Sequence, residues 1–395
     1  MVPALVVAGF LVRWALVLHK GTGFHFADTA EYDEAARAIL HGHAPPASLP
    51  RAPLYPAFMA AVYALFGPGN FPAVRYVQLG VGAAIVALTG SLARRVAGAR
   101  AGALAAFAAA FAPTLVYTST MLYPNALYTM LLLLATIAAH ALTGAPRVRA
   151  AVGFGAALAL TWLTDQVGAI PALALLGWVI VCGRGTIRRR SAMLVVTLLT
   201  IAAIAAPWLV SRRASGPGVP IFLAKAQYVL QVARHDENLI GGHFVHDTTS
   251  WARWHPLPLG ALLTREAGLL ERHPAEYLHD VGFEFVHFFQ PMPDRIQTAN
   301  VYTGPAARWL VALYTVPMLL LGLAGLLFGG LALRDRVLLA LVPFATAALY
   351  AFFFSQMRYR IPTEPEILAL AAAGVVALWR RRASPLVRRG GDIRP

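Results

Sequence analysis

The sequence predicts an all-α, polytopic membrane bundle of about ten transmembrane helices, with interfacial helices in its first outer loop. Three observations carry this. First, 58% of the 395 residues are hydrophobic and only 13% charged, too apolar a composition for a water-soluble globule around one core. Second, apolar stretches recur near the roughly 20 residues that a bilayer core of about 30 Å requires; SAMLVVTLLTIAAIAAPWLV and ALYTMLLLLATIAAHAL are two of them. Third, arginines cluster in alternate short loops, the pattern of a chain that crosses a membrane repeatedly.

The spans fall near residues 2–19, 71–93, 101–117, 125–142, 150–164, 168–183, 191–210, 306–330, 337–355 and 362–379. The first has no basic leader or small-residue cleavage site, so it is expected to be a retained helix despite Arg13. Loops after every second span hold Arg94, Arg95 and Arg100, then Arg147 and Arg149, Arg184 and Arg188 to Arg190, Arg334 and Arg336, and the tail RRRASPLVRRGGDIRP. The positive-inside rule makes that side cytoplasmic, together with both termini. All but two of the 18 acidic residues, Asp335 and Asp392, then lie on the opposite side or its edge. The apolar segment Leu54–Phe66 is too short for a perpendicular span, and counting it would invert every later loop, so it is expected to lie along the outer interface. The organisation expected is a transmembrane module over 1–210 that includes the outer loop 20–70, an extracytoplasmic loop over 211–305, further transmembrane helices over 306–382 and a basic cytoplasmic tail over 383–395. In the long loop, Trp251, Trp254, Phe285, Phe288 and Phe289 suit docking at headgroup depth.

Composition also excludes functions. The net charge of +15 and pI near 10.6 come from short loops between apolar spans, not from a folded basic surface, so no nucleic-acid partner is expected; membrane lipids are. A single cysteine, Cys182, forms no disulfide framework or metal cluster. No glycine-rich phosphate loop with its lysine is present, which argues against a nucleotide-driven pump.

The residues suited to chemistry gather on the acidic side. Asp28 stands at the start of a helical stripe, where a carboxylate is either a cap or a reactive group; Glu31, Asp33 and Glu34 follow on what reads as a solvated face. Arg51 precedes the short apolar helix, placed to snorkel to any lipid phosphate or to grip one bidentately. Arg358 and Arg360, just before the last span, break the charge rule, and an anionic ligand is a reason for them to do so. Asp165 is either a helix cap or a second carboxylate at the same face. The histidines, among them His41, His43, His235, His243, His246, His255, His273, His279 and His287, lack a fixed third ligand for a metal. Lys225 is unconstrained.

The order Asp28-Thr29-Ala30-Glu31-Tyr32, Arg51-Ala52-Pro53-Leu54-Tyr55-Pro56 leading to Leu65-Phe66-Gly67, Pro207-Trp208, then Arg358-Tyr359-Arg360-Ile361-Pro362 resembles the GT-C glycosyltransferases. More narrowly, it is similar to the aminoarabinose-transferase and protein O-mannosyltransferase group. The resemblance runs to about residue 375, and over 211–305 it is one of placement only.

The high Ala, Gly and Arg content points to a GC-rich bacterial genome, so the expectation is a bacterial plasma-membrane enzyme of the cell envelope, and the resemblance implies its reaction. Such an enzyme passes a hexosyl or pentosyl unit, with inversion, from a polyprenyl-phosphate sugar donor to a lipid, glycan or protein acceptor at the extracytoplasmic face. The resemblance implies Asp28 as general base or acceptor-positioning carboxylate, and Arg51, Arg358 and Arg360, with Tyr55 of the same motif, as the donor and phosphate contacts. Many relatives carry an acidic residue where this chain has Tyr123-Pro124-Asn125. Asn125 cannot act as a base, so Asp165, Asn125 and Glu31 are the candidates for a second polar site. No cofactor or required metal is expected. The rival readings are a lipid-linked sugar transporter or flippase, which should show inverted repeats and midplane polar breaks, and a catalytically silent relative.

Overall fold

The computed structural model describes residues 1–20, 28–43, 51–213, 239–240, 243–244, 257–293 and 305–389. Its helices are α1 (Val2–Lys20), α2 (Asp28–Leu40), α3 (Leu54–Phe66), α4 (Phe71–Ala97), α5 (Ala99–Phe111), α6 (Pro113–Thr120), α7 (Asn125–Gly144), α8 (Val148–Thr164), α9 (Ala169–Cys182) and α10 (Ile187–Arg213). After a two-residue antiparallel pairing of Leu239–Ile240 with His243–Phe244 come α11 (Leu259–Arg272), α12 (Pro274–His287), α13 (Pro305–Phe328), α14 (Leu333–Ala351), α15 (Met357–Arg360) and α16 (Glu364–Arg389).

Among the described residues, six helical segments are long and apolar enough to cross a membrane, and α5 with α6, bent by 54° at their junction, make a seventh. The other three expected spans are also helices: α8, α9 with the 3-10 turn that precedes it, and α14. The first two are short, and α14 begins with Leu333-Arg334-Asp335-Arg336. The chain is an integral membrane protein. Its surface leucines, such as Leu198 and Leu199 of α10 and Leu313 and Leu320 of α13, are exposed, as lipid-facing side chains are in a bundle whose solvent is hydrocarbon.

The core is centred on α4, α5 and the first turns of α16, where Ile367 to Ala373 are all buried. Small residues let the backbones close up. A Cβ at Gly325 of α13 would collide with the Leu370 carbonyl of α16, and one at Gly374 would stand 2.7 Å from the Leu321 carbonyl, the tight approach that membrane helices use in place of a hydrophobic drive.

Arg13, in the middle of α1, is fully buried. It points into the bundle and donates to the carbonyls of Gly9 (2.8 Å), Ala110 (3.1 Å) and Ala109 (3.3 Å) and to Ser119 Oγ (3.2 Å). The cause lies in Pro113, which has no N–H to give the Ala109 carbonyl four residues back, so the helix breaks and leaves acceptors bare. Arg13 supplies the missing donors. Gly82 of α4 makes the room, since a Cβ there would stand 2.6 Å from both Arg13 Nε and Ser119 Oγ.

The aromatic residues at the end of the long loop pack on protein, which corrects the expectation of headgroup docking. Phe288 is buried against Tyr350 and Phe353, and Phe285 and Phe289 lie on Phe344 of α14. Apolar rings beside a helix gain more from that contact than from a wet interface. Trp251 and Trp254 lie outside the described residues.

Candidate functional site

The amphipathic pattern of α2 buries Thr29, Tyr32, Ala35 and Ala36 on one side, and α3 offers Tyr55, Met59 and Tyr63 to it. The pair is stapled by Asp33, which accepts from Tyr63 Oη at 2.6 Å and pairs with Arg37 one turn on at 2.9 Å. Thr29 Oγ1 donates to the Leu122 carbonyl at 3.2 Å, fixing α2 to the segment between α6 and α7. Asp28 thus sits at the positive end of α2, one-third exposed, where the helix dipole favours its charge.

Arg51 folds back over this helix end. Its Nη2 lies 3.3 Å from Asp28 Oδ2 and its Nε donates to Glu31 at 2.7 Å, while its guanidinium covers the Tyr32 ring at 5.3 Å. Burial disfavours the charge, but Tyr32, Asp28 and the Glu31 hydrogen bond outweigh it and hold the Arg51 pKa above its ordinary value.

Tyr123 links this pair to the far end of the chain. Its hydroxyl donates to Asp28 Oδ2 at 3.3 Å, its ring is edge-on to Tyr32 at 5.8 Å, and Arg358 lies over it at 5.9 Å. Arg358 is also over Tyr359 at 5.1 Å and donates to its hydroxyl at 3.2 Å. Tyr359 in turn stacks on Tyr350 at 4.2 Å with the planes 5° apart. Among the described residues, Arg358 forms no ion pair, and its Nε is buried without a hydrogen-bond acceptor. An unmatched buried cationic donor is costly and calls for an anion.

Asn125 donates through Nδ2 to the Arg358 carbonyl at 3.3 Å. It braces the arginine's backbone. Asp165 caps the 3-10 turn, accepting from Val167 N at 3.3 Å, and its charge bears on Tyr32 beneath Arg51, so the cap and a place beside the cluster belong to the same residue.

Two expected donor contacts sit elsewhere. Arg360 is fully buried, bound to the Gln290 carbonyl and 3.4 Å from Glu364; the turn of α15 points it into the bundle while Arg358 lies over Tyr123 and Tyr359. Tyr55 is fully buried beneath Tyr32 and donates to Gln78 Oε1 at 3.1 Å. Gln78 Nε2 then holds the carbonyls of Ser119 (3.2 Å) and Met121, so Tyr55 supports the segment that presents Tyr123.

Sequence reasoning missed Tyr32, Gln78, Tyr350, Tyr359 and Glu284. Glu284 is buried and accepts from Ser355 N, anchoring the approach to Arg358. A tyrosine adjacent to a candidate charged residue, as Tyr32 is to Glu31 and Tyr359 to Arg358, was the available signal. Among the described residues no group of three or more His, Cys, Asp or Glu could hold a metal ion. His41 and His43 are exposed, with His41 Nδ1 2.7 Å from the Arg37 carbonyl; His235, His246, His255 and Lys225 lie outside the described residues.

Residues 50–210 match the dolichyl-phosphate-mannose-protein mannosyltransferase family. No curated protein matches the chain. Among solved structures, ArnT from Cupriavidus metallidurans in the apo state is 17% identical with a TM-score of 0.60, over 97% of this chain and 61% of that one. The same protein bound to undecaprenyl phosphate is 18% identical, TM-score 0.58, over 97% and 62%. The archaeal oligosaccharyltransferase AglB from Archaeoglobus fulgidus, in complex with an inhibitory peptide and a dolichol-phosphate, is 13% identical, TM-score 0.58, over 100% and 52%. This chain therefore spans between half and three-fifths of the length of those proteins. It is a polytopic membrane protein with the GT-C fold, and the match to the dolichyl-phosphate-mannose-protein mannosyltransferase family is confined to residues 50–210.

Proposed function

We propose that the chain is a membrane glycosyltransferase that moves a sugar from a polyprenyl-phosphate carrier to a lipid, glycan or protein acceptor, with inversion. The reaction takes place at the end of the bundle opposite its arginine-rich loops, the face that the positive-inside rule makes extracytoplasmic. The observation that carries the reading is the meeting of Asp28, Arg51 and Arg358, from three distant segments, around Tyr123. The solved relatives bound to undecaprenyl phosphate and dolichol-phosphate support a phosphate-linked lipid as the donor class.

The chemistry follows from charge. The bond between the sugar's anomeric carbon and the phosphate oxygen breaks as the acceptor oxygen or nitrogen attacks from the opposite side. Arg358, which has no carboxylate partner among the described residues, meets the negative charge that builds on the leaving phosphate. Arg51 starts out neutralised by Asp28 and Glu31; a phosphate that draws Arg51 toward itself loosens Asp28, which then accepts the acceptor's proton. Substrate binding and base release become one event.

The test is transfer by the protein reconstituted in liposomes with radiolabelled polyprenyl-phosphate sugars and a crude envelope acceptor fraction. Wild type should transfer label and Asp28→Asn should not, while both retain the carrier. Equal transfer by Asp28→Asn removes the role of Asp28, and carrier binding without transfer by either protein would make the chain a carrier-binding protein and not an enzyme.

A further inference from the structure

At the opposite end of the bundle, α7, α9 and α10 enclose a cleft of about 240 Å³ that the proposed transfer does not use. The 20-residue α7 separates the two places: Asn125 at its start touches Arg358, and Leu142 near its end lines the cleft, a helix length of roughly 30 Å away. The lining is two-toned. Val179, Met193 and Leu194 make an apolar floor, and Arg184 and Arg190 stand at the rim.

The charge here has no internal counterweight. Between Asp165 and Asp236 the sequence contains no acidic residue, while Arg184, Arg188, Arg189 and Arg190 fall within seven positions. Asp335, the described carboxylate in the arginine-rich loops, is engaged by His140 and Arg334. Among the described residues neither Arg184 nor Arg190 forms an ion pair; Arg190 donates to the Ile180 carbonyl, which orders its side chain without neutralising it. Beside the cleft, Ile180, Val181 and Ile187 are exposed, so its mouth is continuous with the lipid-facing surface.

We infer that this cleft binds one anionic phospholipid from the leaflet at the arginine-rich end, its phosphate on Arg184 and Arg190 and the upper part of its acyl chains on the floor formed by Val179, Met193 and Leu194. A soluble anion would match the rim and leave the floor bare; a zwitterionic lipid would match the floor and leave the arginines uncompensated. An anionic amphiphile satisfies both, as basic pockets between membrane helices do. The site is separate from the donor site and does not depend on the transferase reading.

Native mass spectrometry of the full chain with equal phosphatidylglycerol and phosphatidylcholine tests it. Wild type should retain one phosphatidylglycerol in preference to phosphatidylcholine. Arg184→Gln should weaken that retention about fivefold, the effect of one arginine near an anionic surface. Leu194→Trp, which fills the floor and leaves both arginines in place, should weaken it at least as much, with unchanged thermal stability in detergent confirming that the variant is folded. Equal retention of the two lipids, or wild-type retention by Leu194→Trp, overturns the proposal. Full displacement by inorganic phosphate alone would do the same, by showing a site for the anion and not for the lipid.

Discussion

Arg358 brings a buried Nε that no described group accepts from, and it is held between the rings of Tyr123 and Tyr359. That clamp orients the guanidinium without spending its charge, which suits a cation kept for an incoming phosphate. Arg358→Ala should therefore weaken carrier binding by about 1.5–3 kcal/mol, the worth of a charge-assisted hydrogen bond, read as a tenfold or greater rise in Kd for a polyprenyl phosphate. Tyr359→Leu should cost about 0.5–2 kcal/mol through the lost ring contact, and Tyr359→Phe should keep most of the binding because the ring remains. Equal loss in both Tyr359 variants would instead assign the effect to the hydroxyl. At this scale the sequence was partly legible. Asp28, Arg51 and Arg358 could be picked out because each is a charge where a membrane protein pays for having one. Arg360 could not be told from Arg358 by sequence, because the direction of two side chains two residues apart depends on how a single turn packs against Gln290 and Glu364.

At the scale of elements, the break between α5 and α6 and the buried Arg13 are one device: the proline leaves acceptors bare and the arginine covers them. Arg13→Met should cost about 1–3 kcal/mol for each buried carbonyl left unpaired, measured as a lower midpoint of thermal unfolding in detergent, and it should do so without changing carrier affinity in the protein that remains folded. The sequence announced the helices through their apolar runs, and the shortness of Leu54–Phe66 marked it as something other than a span. It hid the break, since Ala112-Pro113 lies inside an unbroken apolar stretch. Arg13 looked like an anomaly to be tolerated because its partners are about a hundred residues away. The rings of the long loop were misjudged for the same reason: nothing local to Phe288 says that Tyr350 will cover it.

For the molecule as a whole, charge partition organises the structure. The site cluster lies at one end of α7 and the arginine loops at the other, where Arg100 stacks on Trp379 and Arg381 on Phe328. In a Cys182→Ala background, single cysteines at Glu34→Cys and Arg149→Cys, both exposed positions, should react with a membrane-impermeant maleimide from opposite sides of a sealed vesicle. Labelling of both from one side would refute the ten-span topology. The helical membrane bundle was the most legible part of the sequence, because hydropathy acts on every span at once, whereas the meeting of three remote segments is a tertiary fact.

That meeting also sets a clock. Asp28 and Arg51 are synthesised early and Arg358 only roughly three hundred residues later, a delay of about 15–60 s at ordinary translation rates. Throughout that interval Arg51 is already satisfied by Asp28 and Glu31, so the nascent half can settle in the bilayer with its acids and its base mutually quenched. A ribosome that stalls before the last helix leaves behind a polypeptide whose Arg51 is already paired, with no bare charge from that helix end facing the bilayer.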